Sequence, residues 1–137
     1  MATKNQFTGM EGLYLLAAEL SKRNFIVSPT SRSVQTADLL VTDAYCHRAY
    51  AVQVKTNART FSFWLVNSKT STMKSRNLIY AFVNLRKTGP EFYLVPSDYV
   101  ANKVDVSKPT KTSKSTWYSV ALKNVSRFKE NWDIFKK

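Results

Sequence analysis

Two apolar runs joined by a short turn constrain this chain more than any other feature: NLIYAFVNL at 77–85 and EFYLVP at 91–96, with RKTGP between them. Both are rich in β-branched and aromatic residues, and the connection carries strong turn chemistry, so they read as neighbouring strands. FSFWLV at 61–66 is a third run of the same kind. Trp64, Tyr80, Phe82, Phe92 and Tyr93 lie inside these runs and read as sheet core rather than as base-stacking platforms.

The segment before them is patterned differently. Residues 11–23 place Leu13, Leu16, Ala17 and Leu20 at the i, i+3, i+4, i+7 spacing of a helix with one buried stripe. Thr8 is the expected N-cap, with Glu11 completing a capping box, and the helix is expected to end near Asn24. FIVSP follows as a short strand stopped by Pro29, and residues 30–36 form a loop. ADLLVTD at 37–43 and YAVQVKT at 50–56 predict two strands of an antiparallel hairpin. Alternation puts Val52 and Val54 on one face of the second strand, and Gln53 and Lys55 on the other. In the first strand Asp38, Leu40 and Thr42 share a face opposite Leu39, Val41 and Asp43.

Beyond the paired runs, Ser97 is expected to cap a short helix reaching about Lys103. SKPTKTSKST at 107–116 reads as a basic loop, WYSVAL as one more strand, and NVSRFKENWDIF as a terminal helix or turn that docks Phe128, Trp132 and Phe135. The expected fold class is therefore α/β: one domain over residues 1–137, with an N-terminal helix and then a mixed central sheet of five or six strands flanked by helices. A chain of 137 residues suits one core.

Charge narrows the choice of partner. Twenty-one Lys and Arg against nine Asp and Glu give +12, which favours polyanions because each neutralised phosphate releases counterions. Nucleic acid is the first expectation, DNA before RNA. No apolar run approaches the roughly 20 residues of a membrane span, so a membrane is not expected as partner. The single Cys46 excludes an internal disulfide framework and points to a reducing cytoplasm. Lys69, Lys74 and Arg76 flank one Ser/Thr-rich segment, and Lys108, Lys111 and Lys114 recur through a second. Two such clusters suit phosphate contact, and Arg32 is a further strand-clamping candidate. His47, beside Cys46 in the hairpin connection, has no identifiable partners for a metal site or triad.

Metal-dependent phosphodiester cleavage needs oxygen ligands for a hard cation, a route from water to hydroxide, and positive charge at the phosphate. The Asp38 carboxylate, the Gln53 side-chain oxygen and the Val54 backbone carbonyl are candidate ligands for Mg²⁺ or Mn²⁺. Lys55 is the candidate to orient or deprotonate water and to stabilise negative charge. From spacing alone, Asp38 reads equally well as a strand-end acid, and Gln53 with Lys55 as an exposed edge.

An acid late in one strand, a hairpin and then a (D/E/Q)-x-K strand, here ADLLV…AVQVKT after a helix, resembles the PD-(D/E)XK nuclease superfamily, whose members include restriction endonucleases and Holliday-junction resolvases. GLYLLAAELSKRNFIV, VQVKTN, FWLV, YAFVNL, FYLVPSDYVA and the final NWD extend the resemblance to small bacterial nuclease-like proteins. It implies a restriction-endonuclease-like core, Mg²⁺-dependent hydrolysis and catalytic roles for Asp38, Gln53 and Lys55. Relatives usually have an acid where Gln53 stands, and many carry a Glu on the first helix where this chain has Leu13. Glu11 and Glu19 are the auxiliary-acid candidates, eight residues and about 80° apart on a helix. The expected activity is an endonuclease or junction-cleaving enzyme, acting as a homodimer where both strands are cut. The alternatives are a degenerate nucleic-acid-binding module with this fold and a protein-interaction module with an acidic partner.

Overall fold

A computed structural model describes residues 1–31, 36–59 and 61–136, and in it the first helix, α1, spans Lys4–Lys22. It therefore begins about two turns before the expected start. Thr3, not Thr8, is the N-cap: its hydroxyl accepts from the Gln6 N–H at 3.2 Å, and Gln6 Oε1 accepts from the Thr3 N–H at 2.8 Å. The apolar stripe begins only at Leu13, so the earlier turns carry no core-facing signature. At the other end the Arg23 N–H donates to the Leu20 carbonyl, and Asn24 follows in the left-handed region at φ 69°, a conformation asparagine tolerates better than most residues.

Strand β1 (Phe25–Pro29) pairs antiparallel with β2 (Leu39–Asp43), and β2 pairs antiparallel with β3 (Ala49–Asn57), as the hairpin pattern requires. The chain then makes a short strand, β4 (Phe63–Leu65), before β5 (Leu78–Arg86) returns parallel to β3 and turns into β6 (Gly89–Pro96). The main sheet has five strands in the order β1-β2-β3-β5-β6. The run at 61–66 does not join it. After the short helix α2 (Ser97–Ala101), β7 (Val104–Ser107), a strand absent from the sequence reading, and β8 (Trp117–Ala121) combine with β4 into a second sheet ordered β4-β8-β7. A one-turn helix, α3 (Leu122–Val125), and two 3-10 turns complete the chain.

This arrangement explains why the runs that form β5 and β6 are apolar at consecutive positions. On one side α1 and the C-terminal segment bring Leu16, Leu20 and Phe135 against Leu39, Val41, Val52, Ile79, Ala81 and Leu94. On the other, Trp64, Val120 and Val125 cover Tyr80, Phe82, Tyr93 and Val95. A strand covered on both faces has no polar side to alternate with. Each large side chain so enclosed contributes about 1.5–3 kcal/mol through burial.

Ser97 does not cap α2. It is buried, donates to the Ser75 carbonyl at 2.7 Å and accepts the Ser75 N–H at 2.9 Å, fastening the connection before β5 to the helix. At the C-terminus Phe135 packs on Phe25 and Tyr50, and Trp132 on Phe92, as the docking pattern predicts. No helix among the described residues is long and apolar enough to cross a membrane.

Candidate active site

The site begins where β2 stops pairing with β3. Leu39 is register partner to Val52, and the Asp38 N–H still reaches the Val52 carbonyl at 2.8 Å. One step further, the bond that the Val54 N–H would make to a backbone carbonyl is made to a side chain: Asp38 Oδ2 accepts it at 2.7 Å. The carboxylate is thus half-buried and held against the strand that carries Gln53 and Lys55. The N–H and C=O of one strand residue point to the same side, so the Val54 carbonyl faces the Asp38 side too.

Tyr50, Val52 and Val54 of β3 turn toward α1, while Ala51 turns to the opposite face; by alternation Gln53 and Lys55 share that opposite face. Burial holds the Lys55 ammonium below its ordinary range, and the charge of Asp38 works against that shift. The two groups are therefore close enough to feel one another. Gln53 Oε1 is buried with no hydrogen-bond partner among the described residues, an arrangement that costs about 1–3 kcal/mol unless a ligand or water satisfies it.

Helix α1 packs on the face of β3 opposite Gln53 and Lys55, and its first turns border the Asp38 edge of the site. Gly12 lies so close to β3 that an added Cβ would sit 1.9 Å from Thr56 Oγ1 and 2.8 Å from Thr56 Cβ. Its neighbours Gln6, Gly9, Met10 and Leu13 line a groove with Asp38 and Val54. Lys55 lines an adjoining groove with Asn5, Asn57, Phe61, Phe63 and Leu65. These flanking residues were missed in the sequence reading. A signal for two of them was present, since a core Trp64 forces Phe63 and Leu65 to the opposite face of their strand.

Neither auxiliary acid joins the cluster. Glu11 is exposed and does not line the Asp38 groove. Glu19 pairs with Arg23 and with Lys22, and Arg23 stacks on Trp132, so this carboxylate serves the docking of the C-terminal segment. The Arg23 hydrogen bond holds its carboxyl below the usual range. No three His, Cys, Asp or Glu gather among the described residues. A divalent cation here would draw on the Asp38 carboxylate, Gln53 Oε1 and the Val54 carbonyl. Those are oxygen donors of the kind Mg²⁺ prefers, and the partnerless Gln53 oxygen fits that use.

The basic residues fall into separate places. Lys74 and Arg76 line a groove with Tyr50, Asp98 and Ile134 at the start of β3, roughly 16 Å along the strand from Lys55 at about 3.3 Å per residue. Lys69 is exposed in the turn after β4, and Lys108, Lys111 and Lys114 are exposed in the β7–β8 connection. Arg32 lies outside the described residues.

No protein-family model matches this chain, and no curated protein matches it by sequence. Among solved structures a bacterial homing endonuclease, I-Ssp6803I, is similar to it, with a TM-score of 0.60 at 14% identity over 99% of this chain and 94% of that one. The likeness is one of fold: a nuclease is built on the same arrangement of helix and sheet.

Proposed function

We propose that this α/β chain is a metal-dependent endonuclease of the PD-(D/E)XK type acting on DNA, with Asp38, Gln53 and Lys55 as its catalytic set. The observation that carries the reading is the hydrogen bond from the Val54 N–H to Asp38 Oδ2, which fixes an acid beside a Gln-Val-Lys strand where the sheet opens. The similarity in fold to a homing endonuclease supports it.

In this reading Asp38, Gln53 and the Val54 carbonyl hold Mg²⁺ or Mn²⁺, which when bound supplies Lewis-acid polarisation and charge neutralisation at the phosphate. Lys55 orients the attacking water and stabilises the negative charge that develops on the phosphoryl oxygens. Its burial strengthens that interaction, because a charge shielded from water is less screened. The exposed lysines of the β7–β8 connection and Lys69 track the backbone, and binding weakens steeply with salt. Cutting both strands takes two copies; exposed Ile26 on the edge strand β1 and Leu40 on its neighbour β2 suit a chain–chain contact. The free, exposed Cys46 suits a reducing compartment.

The test is cleavage of labelled duplex, branched and single-stranded DNA and of RNA with Mg²⁺ or Mn²⁺, comparing wild type with Asp38→Ala and Lys55→Ala. Metal-dependent cleavage lost in both variants supports the enzyme. Salt-sensitive binding without cleavage replaces it with a degenerate binding module, the reading favoured by a site with a single carboxylate. Absence of both activities points to an acidic protein partner.

A further inference from the structure

The aromatic side chains beside Lys55 stand outside both halves of the core. β4 is anchored by Trp64, which is buried and donates from Nε1 to the Val83 carbonyl at 3.0 Å, and by Asn57 Nδ2, which donates to the Phe63 carbonyl at 2.8 Å. Alternation then turns Phe63 and Leu65 outward, 43% and 48% exposed, with Phe61 at 48% and its ring centroid 6.5 Å from that of Phe63. In β8, Trp117 lies two residues from Ser119, the register partner of Leu65, and is 49% exposed on the same face of the small sheet. Three large rings and a leucine thus stand half-exposed along β4 and β8, and Phe61, Phe63 and Leu65 line the groove that holds Lys55.

We infer that this ridge is a stacking platform for unpaired nucleotides, and that the substrate strand reaches Lys55 over it as single-stranded or frayed nucleic acid. The inference rests on the nuclease reading for the role of Lys55, and on the ridge alone for binding. A base has a free π-face only when it is unstacked, and aromatic platforms bordered by cations hold single strands in this way without reading sequence. Cations border both ends: Arg59 precedes Phe61, and the connection carrying Lys111 and Lys114 folds onto Trp117, whose Nε1 donates to Ser113 Oγ at 3.4 Å. Asp105, the acid on that face, lies on β7, the strand farthest from Lys55 in the order β4-β8-β7. A continuous duplex, its bases stacked inside, gains nothing from such rings.

The test uses oligonucleotides carrying 2-aminopurine in single-stranded, forked and fully paired form, titrated without divalent metal so that cleavage plays no part. Wild type should bind the single-stranded and forked forms about tenfold more tightly than the paired duplex and quench the probe. Phe63→Ser and Trp117→Ser should each remove about tenfold of that affinity, one stacked base's worth, while Phe63→Tyr retains it. Melting temperatures close to wild type show that the variants fold. Equal affinity for paired and unpaired forms, or full binding by Phe63→Ser, overturns the platform. So does a dimer, seen by sedimentation, that dissociates on Phe63→Ser, because the ridge then belongs to a chain–chain contact. Cleavage with no preference for unpaired ends sinks this inference alone. Stacking without metal-dependent cleavage sinks the enzyme reading and leaves the platform standing.

Discussion

Along β3, residues 49–52 and residues 53–57 differ in what flanks them. The first stretch is paired with β2, and its Tyr50 and Val52 are buried in the core beneath α1. The second has β5 on one side and, among the described residues, the Asp38 carboxylate on the other, just before β2 begins. Buried side-chain atoms without partners among the described residues belong to Gln53, to Thr56, and to Asn84, the register partner of Asn57. Polar groups that a closed sheet would exclude are thus collected where pairing stops. One strand serves as scaffold over half its length and as candidate catalytic surface over the other half.

The sharpest way to break that division is Lys55→Ala. Cleavage should fall at least about a hundredfold, while the melting temperature holds or rises, because a buried ammonium is lost. Circular dichroism melts beside a cleavage assay report both; unfolding on substitution would make Lys55 a scaffold residue. Val52→Ala should show the opposite signature. It loses about 2–3 kcal/mol of stability by leaving a cavity, with the activity of the folded fraction unchanged, measured by urea titration and turnover per folded molecule.

Gly12→Ala comes next. Thr56 cannot rotate clear when its own Cβ is 2.8 Å away, so overpacking should cost about 1–3 kcal/mol and outweigh the gain in helix propensity. Thr56→Ala should return part of it in a thermal melt. The Lys55 ammonium should titrate below 10.5 in an NMR experiment on the lysine side chains, and lower still in Asp38→Asn, which removes the charge that raises it. Below its lowered pKa the folded chain carries the full cost of that buried charge. The cost fades as pH rises from there toward 10.5, because the unfolded chain then binds the proton more tightly. Smallest is Gln53→Glu: the Mg²⁺ concentration for half-maximal cleavage should drop several-fold, since a carboxylate replaces an amide oxygen.

What could be read ahead of the structure follows the same division. The hairpin from β2 to β3, the alternation around Gln53 and Lys55, and the burial of Tyr80, Phe82 and Tyr93 are local consequences of side-chain period, and the sequence carries period directly. The start of α1 carries no such period, because its first turns face the Asp38 groove instead of the core. The separation of β4 from the main sheet was illegible, since Trp64 is equally apolar in either sheet and only tertiary pairing with Val120 decides between them. Thr8 and Ser97 looked like caps by residue type, yet one sits inside a helix and the other fastens a loop. The distance between Arg76 and Lys55 likewise depends on where a parallel crossover lands, and no local pattern encodes that.

The early start of α1 has a practical consequence for handling the protein. Gln6 lines the groove of Asp38 and Asn5 the groove of Lys55. A purification tag or fusion partner joined ahead of Met1 would therefore emerge beside these grooves and crowd them. The last 3-10 turn runs to Lys136, whose carbonyl accepts from Arg48 beside the start of β3. A tag placed after that turn would leave beside the start of β3 and keep both grooves accessible to assay.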